Sequence, residues 1–299
     1  MLFSMGRSYR VSIPDVNGYS KKACDIYKSI GTINKDELQY TEILVNKLGK
    51  IDKKLLDSMP ILEIIAQPTT GLDHIDLKEC KKRGIKVISL KGETEFLRTI
   101  PATAEHTIAL MLSLMRKIPW AFDDTLAGHW DREAWRGREL KGKTLLVVGN
   151  GRIGQMVTKY GQSFGMNVLT IDEPSKKKLL KLLPKADVVS VHIPLKNNSG
   201  YFERQCFEAI KKGSYLINTS RGDIISEWAL LEALKKGRIA GAALDVVQGE
   251  PNINEDLIDY ALDNTNLLIT PHIAGATLES IKKTESFIAK KVKEYIKTL

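Results

Sequence analysis

The stretch Leu145-Leu146-Val147-Val148-Gly149-Asn150-Gly151-Arg152-Ile153-Gly154 carries an apolar strand straight into a Gly-x-Gly-x-x-Gly turn. A helical segment follows, which is the context that a dinucleotide pyrophosphate requires. Gly149 allows the tight turn, Gly151 lets backbone N–H groups approach the phosphates, and Gly154 lets the helix pack closely on its strand. The helix N-terminus then faces negative charge. The next strand ends at Asp172, 18 residues past Gly154, close to the separation of about 20 expected for an acid on the adenosine ribose. A carboxylate there repels a 2′-phosphate, and Glu173 follows it, so NAD is favoured over NADP. S-adenosylmethionine also sits at a Gly-rich strand end with an acid after the next strand, so the turn alone leaves a methyltransferase open.

On either side of this turn, strand-like runs alternate with helical stretches, the pattern of parallel sheets built from βαβ units. The fold class is α/β with two lobes, each a parallel sheet with flanking helices. In the first lobe strands are expected near Tyr9–Ile13, Thr41–Val45, Leu62–Ala66 and Lys86–Ser89. Asp73-His74-Ile75-Asp76 opens a helix that Gly84 ends, with acids at its start and Lys81, Lys82 and Arg83 in its last turn. The second, larger lobe has six expected strands: Thr144–Gly149, Asn167–Asp172, Asp187–His192, Tyr215–Asn218, Ala240–Asp245 and Leu267–Thr270. Between the lobes, Ala102–Met115 reads as a helix apolar over most of its circumference, which predicts burial between lobes or between subunits. Trp130 and Trp135 in the loop after it are expected in core packing, with approach to a partner's cleft as the alternative. The last helix, near Leu278–Lys297, is expected to return to the first lobe. The domains are therefore 1–99 with 276–299, and 100–275.

At 299 residues, 43% hydrophobic and 27% charged, the chain can bury a core, which excludes a disordered protein. Its longest unbroken apolar run, Ile108–Leu112, is far short of the roughly 20 residues that span a bilayer. The opening MLFSMGRSYR lacks the apolar stretch of a secretory signal. Cys24, Cys80 and Cys206 lie far apart, as reduced thiols do in a cytoplasmic protein. The formal charge of +9 is spread over lysine doublets and the triplet Lys176-Lys177-Lys178, without interleaved aromatics. That is the pattern of solvated helix faces with a mild pull on anions, and neither a nucleic-acid nor a membrane partner is expected.

In an open α/β sheet the carboxyl ends of strands border the ligand crevice. Three such ends carry unusual polar groups: Asn218-Thr219-Ser220-Arg221-Gly222-Asp223, Asp245-Val246-Val247-Gln248-Gly249-Glu250-Pro251 and Pro271-His272-Ile273-Ala274-Gly275. A guanidinium binds a carboxylate bidentately, and an imidazole beside a carboxylate has its protonated form favoured. Taken singly, Arg221 reads as a surface ion pair, Glu250 as a turn residue and His272 as a strand-end cap. Their joint occurrence after strands points to an anion clamp with an acid–base pair, a task that the methyltransferase reading does not supply. His106 reads as a satisfied core group, His74 as a helix-start residue, His129 as a loop residue, and His192 as an open case at the cofactor.

These residues resemble the D-isomer-specific 2-hydroxyacid dehydrogenases, a family including phosphoglycerate, glycerate and D-lactate dehydrogenases and glyoxylate or hydroxypyruvate reductases. The resemblance runs through Thr70-Gly71-Leu72-Asp73-His74-Ile75-Asp76, Ala104-Glu105-His106, Leu140-Lys141-Gly142-Lys143, the Gly149–Gly154 turn, His192-Ile193-Pro194-Leu195, and the three strand ends above. It implies a Rossmann NAD-binding lobe and a smaller flavodoxin-like substrate lobe. It also implies hydride transfer between NAD and a small anionic D-2-hydroxy or 2-keto acid, in a homodimer joined by the apolar helix from Ala102 and the loops after it. In it Arg221 holds the substrate's carboxylate and carbonyl oxygen, His272 is the general acid–base, Glu250 pairs with His272, and backbone N–H groups of Thr70 and Gly71 bind the carboxylate as the cleft closes. Arg152 and Ile153 fall at the pyrophosphate, Asp172 at the adenosine ribose, Pro194 and Thr219 along the groove, and Asp245, His272 and Gly275 near the nicotinamide. No metal is implied. An NAD(H)-responsive, corepressor-like binding protein of the same fold is the alternative.

Two segments depart from the family. Between Asp172 and Asp187 there is room for one helix where a further strand and helix are usual, so an edge strand beside the adenosine site is expected to be missing. The segment 91–102 is longer than usual, is expected to border the cleft, and offers Arg98 as a reader of a second substrate group.

Overall fold

The computed structural model describes residues 7–14, 16–34, 37–172 and 175–299. Glu173 and the first six residues of the opening segment lie outside the described residues. The chain divides into two compact units, Met1–Thr99 with Ala276–Leu299, and Ile100–Gly275.

In the first unit β1 (Tyr9–Ser12), β2 (Gly31–Asn34), β3 (Ile43–Val45), β4 (Ile64–Gln67) and β5 (Lys86–Ser89) form a parallel sheet in the order β2-β1-β3-β4-β5. Period-two alternation sorts its side chains. Val11, Ile43, Val45, Ile64 and Ala66 face one layer, and Leu44 and Ile65 face the other. Four strands were expected and five form. The extra one, β2, is an edge strand whose Gly31-Thr32-Ile33-Asn34 holds a single large apolar residue, too little to mark it in sequence.

Helices α1 (Lys21–Lys28), α2 (Lys53–Asp57) and α3 (Leu77–Lys82) lie between these strands, and α4 (Thr94–Leu97) follows β5. Asp76 caps α3 by accepting the Glu79 N–H at 3.0 Å, and Gly84, at φ 71°, ends it. The last helix, Leu278–Ile296, returns to this unit and buries Ile288, Ala289 and Val292 with Val11, Ala23 and Tyr27. The long 91–102 segment holds α4, where the Phe96 ring stacks on Phe287 of that helix, centroids 3.9 Å apart. Arg98 is exposed and paired with Glu95 at 2.7 Å, so an ordinary surface pair accounts for it.

In the second unit β6 (Thr144–Val148), β7 (Asn167–Ile171), β8 (Val188–Val191), β9 (Ser214–Asn218), β10 (Ile239–Leu244) and β11 (Leu267–Ile269) form a parallel sheet in the order β11-β10-β9-β8-β6-β7. β7 is therefore an edge, as the short connection after Asp172 implied. The helices are α5 (Ala102–Met115), α6 (Ile118–Leu126), α7 (Arg152–Ser163), α8 (Lys176–Leu182), α9 (Arg204–Ala209), α10 (Glu227–Lys235) and α11 (Glu255–Asp263). The apolarity of α5 is matched inside its own unit. Ala104, Ile108, Met111 and Leu114 pack with Leu145, Val147, Ile217 and Ala243 of the sheet, so its composition does not demand cover from another lobe or subunit.

Apolar exposure falls instead on α6. Ile118, Phe122 and Leu126, four residues apart along one helical stripe, are all exposed. Trp130 is 90% exposed, which corrects the core placement expected of it. Trp135 is only partly buried and donates its indole N–H to Asp124 at 2.8 Å. Among the described residues no helix is long and apolar enough to cross a membrane.

Candidate active site

Register places the polar residues. Ile269, Leu244, Asn218, Val191, Val148 and Ile171 are aligned across neighbouring strands from β11 to β7. The next residue on each strand is therefore Thr270, Asp245, Thr219, His192, Gly149 or Asp172. Six strands thus deliver their first non-strand residues along a single edge, at the carboxyl ends where α/β sheets bind ligands.

At β6 the glycine turn has the packing that its sequence predicts. Gly149 adopts φ 98°, and a Cβ on it would lie 2.5 Å from the carbonyl oxygen of His192. A Cβ on Gly154 would lie 1.9 Å from the carbonyl oxygen of Gly149, so the helix sits directly on the turn. Gly151, which precedes α7, faces open space, so the helix N-terminus can be approached. This geometry fits a pyrophosphate. Arg152 opens α7, its guanidinium donating to the Ile100 carbonyl at 2.8 Å, and burial lowers its pKa. Ile153 is partly buried beside it. Asp172 stands exposed just past β7.

At the other half of the row, Nδ1 of His272 lies 2.6 Å from Oε2 of Glu250. The second carboxylate oxygen of Glu250 accepts the Val247 N–H at 2.9 Å, which fixes the carboxylate on its own loop. Glu250 raises the pKa of His272 by that hydrogen bond, burial opposes it, Asp245 adds to the rise, and the Arg221 charge lowers it. Arg221 therefore lies within electrostatic reach of the imidazole. Its Nη1 donates to the Ser220 carbonyl at 2.7 Å, and the Asn218 amide donates to the Arg221 carbonyl at 2.9 Å.

His272 has φ 53°, in the left-handed region that costs a non-glycine residue energy. The neighbouring bonds supply the constraint. The Asp245 carboxylate accepts the N–H groups of Ile273 at 2.9 Å and Ala274 at 2.8 Å and the Thr270 hydroxyl at 2.6 Å, while the Asp245 carbonyl accepts the His272 N–H at 2.8 Å. Only 1% of Asp245 is exposed. Burial pushes its pKa up, but contacts from His106 and Thr270 and the two backbone donors outweigh burial and hold it below the usual carboxylate value. Asp245 was expected near the nicotinamide; its carboxylate is engaged in shaping the His272 turn.

His106, expected as a core group, belongs to this network. Its Nε2 lies 3.2 Å from Thr270 Oγ1 and 3.4 Å from Asp245 Oδ1. Sequence reasoning passed over it because only the packing of α5 on β9–β11 brings it to the strand ends. Thr107, one residue on, shares a 2.9 Å hydroxyl contact with buried Thr219. His192 bonds Ser190 at 2.8 Å, and burial pushes its pKa down to about 3, so it carries no charge at neutral pH. Pro194 is exposed and its carbonyl accepts from Asn198 at 2.8 Å, and Gly275 is exposed at the end of this unit. Thr70 and Gly71 belong to the first unit, in the bend after β4, where Thr69 donates its hydroxyl to the Gly71 carbonyl at 2.9 Å.

Residues 108–274 match the family described as D-isomer specific 2-hydroxyacid dehydrogenase, NAD binding domain. The chain is 37% identical over 277 residues to D-3-phosphoglycerate dehydrogenase of Bacillus subtilis (strain 168), covering 88% of this chain and 51% of that one. It is 36% identical over 268 residues to glyoxylate reductase of Thermococcus litoralis, covering 83% and 78%. The crystal structure of D-lactate dehydrogenase from Aquifex aeolicus, complexed with NAD and lactic acid, matches with a TM-score of 0.80 at 28% identity over 97% of this chain and 95% of that one. The chain belongs to the D-isomer-specific 2-hydroxyacid dehydrogenase family, and its second unit is that family's nicotinamide-dinucleotide-binding domain. It spans about half the length of the D-3-phosphoglycerate dehydrogenases it matches.

Proposed function

We propose that this chain is an NAD-dependent oxidoreductase that interconverts a small D-2-hydroxy acid and its 2-keto acid. The observation that carries the reading is the His272–Glu250 contact of 2.6 Å, within electrostatic reach of Arg221, on the same strand-end row as the glycine turn. The cofactor would be held at its pyrophosphate by Gly149, Gly151, Arg152, Ile153 and Gly154, and at its adenosine ribose by Asp172. Pro194, Thr219 and Gly275 would border the rest, and Asp245 would act through the His272 turn that it holds. A bound nicotinamide supplies or accepts the hydride.

The chain's own residues do the remaining work. Arg221 binds the substrate carboxylate as a fork and polarises the carbonyl oxygen. Glu250 holds His272 through Nδ1, which leaves Nε2 to carry the transferred proton. In reduction the charged imidazole donates that proton to the carbonyl oxygen, and in oxidation the neutral imidazole takes it from the hydroxyl. Thr70 and Gly71 are assigned to the carboxylate by the family motif that they match.

The test is purified protein with NADH against glyoxylate, hydroxypyruvate, pyruvate, phosphohydroxypyruvate and longer 2-keto acids, with His272→Ala alongside. At least one acid should be reduced, and the variant should lose about 10²–10⁴-fold in rate. NADH uptake with no turnover of any acid would favour the corepressor-like alternative. We further infer a homodimer, with the stripe Ile118, Phe122 and Leu126 and the adjacent Trp130 covered by a second copy. Its place is the cytoplasm, where the unpaired Cys24, Cys80 and Cys206 stay reduced.

A further inference from the structure

Glu227, in the first turn of α10, is a carboxylate only 4% exposed, a rare situation for an acid. Its surroundings explain its burial. Oε1 accepts the Gln248 N–H at 2.6 Å, and the side chain of Asn254, which caps α11, lies near enough to favour the charged carboxylate. These two partners stand at either end of the loop that carries Glu250. The same loop is pressed from below: a Cβ on Gly222 would lie 2.0 Å from the Val247 carbonyl carbon and 2.5 Å from the Gln248 nitrogen. The Arg221-Gly222 segment and the Val247-Gln248 segment are thus in backbone contact, and α10, which follows the first, reaches over to fasten the second.

We infer that Glu227 is a positioning residue, which holds the 247–254 loop so that Glu250 meets the imidazole of His272. The inference deepens the dehydrogenase reading and takes the acid–base role of His272 from it. Glu250 is fixed by its own contact with the Val247 N–H, adjacent to the bond from Gln248 to Glu227. Releasing Gln248 therefore frees the backbone on which Glu250 is registered, and a displacement of about 1 Å at such a contact costs up to about a hundredfold in rate. The groups facing Glu227 are Gln248 and Asn254, with Asp223 as the nearby charge. Those facing His272 are Glu250, Asp245 and Arg221.

The experiment is an NMR titration of the His272 imidazole in the full chain, with melting temperatures recorded in parallel. Glu250→Gln sets the value of an unpaired imidazole. Glu227→Met keeps the bulk and removes the acceptor, and should carry the His272 midpoint at least half of the way from the parent value to that of Glu250→Gln. Glu227→Gln keeps an acceptor for the Gln248 N–H and should stay near the parent. Where the Met variant does not fold, Glu227→Asp, which withdraws the carboxylate by one methylene, replaces it with the same expectation. An unchanged midpoint in a folded Met or Asp variant overturns the inference, leaving Glu227 a merely structural group. A Gln variant that falls as far as Met overturns it too, because the charge and not the held loop would then act on His272. The titration requires no turnover, so it stands apart from the substrate screen.

Discussion

Glu250 grips His272 at Nδ1 across 2.6 Å while a backbone N–H of its own loop holds the other carboxylate oxygen. The imidazole is therefore both oriented and biased towards its charged form.

This bias sets the direction of the pH dependence. Glu250 raises the proton affinity of His272, so the charged form persists above the ordinary imidazole midpoint and is lost as pH rises through the raised value. Reduction, which uses the charged form, declines over that interval, and oxidation rises. In Glu250→Gln the falling limb of the reduction rate should move to lower pH, read from kcat/KM for a 2-keto acid against pH. A limb that stays in place would remove Glu250 from the acid–base pair.

Asp172, exposed past the edge strand, should select the cofactor by charge. Asp172→Ala should weaken NADH binding and relieve repulsion of the 2′-phosphate, narrowing the difference between NADH and NADPH by about tenfold or more. Fluorescence titration of each cofactor measures this. An unaltered ratio of the two dissociation constants contradicts the assignment.

Replacing Asp245 should be costly in stability. Its carboxylate serves Thr270, Ile273 and Ala274, so Asp245→Ala strands one buried donor, the Ala274 N–H, and two partly buried ones, at about 1–3 kcal/mol for a buried donor left unpaired. Denaturant unfolding of the parent should also show acid sensitivity. A carboxylate held below its ordinary value stabilises the fold above the unfolded-state pKa, and that contribution disappears as pH falls through the folded value.

The stripe on α6 gives a test of association. Phe122→Glu, on a helix none of whose residues is buried in the single chain, should leave folding intact and shift the protein from dimer towards monomer in sedimentation velocity. Identical sedimentation of variant and parent would locate the partner surface elsewhere.

Much of the fold was readable because burial imposes patterns on sequence. Parallel strands buried on both faces read as apolar runs, as Leu145–Val148 does, and all six strands of the second unit were expected within two residues of their bounds. β2 escaped because none of its four residues is fully buried, so it needs no such run. The glycine turn, Arg221, Glu250 and His272 could be put forward from position, since each follows a strand end, and the site they form remains a proposal. His106 and Glu227 could not be, because a helix residue joins a site only through the packing that sets its rotation, and neither α5 nor α10 bears a local mark of it. Trp130 misled for a related reason: bulk suggests burial, but a loop side chain is buried only where a surface lies opposite.

Among the described residues β7 has a strand neighbour on one side only. A dinucleotide lying against Asp172 would have one wall fewer to climb past when it departs, and in many enzymes release of a product sets the pace. Quick exit hands the clock to bond breaking, and a deuterium on the transferred position of the reduced carrier should then slow steady turnover visibly.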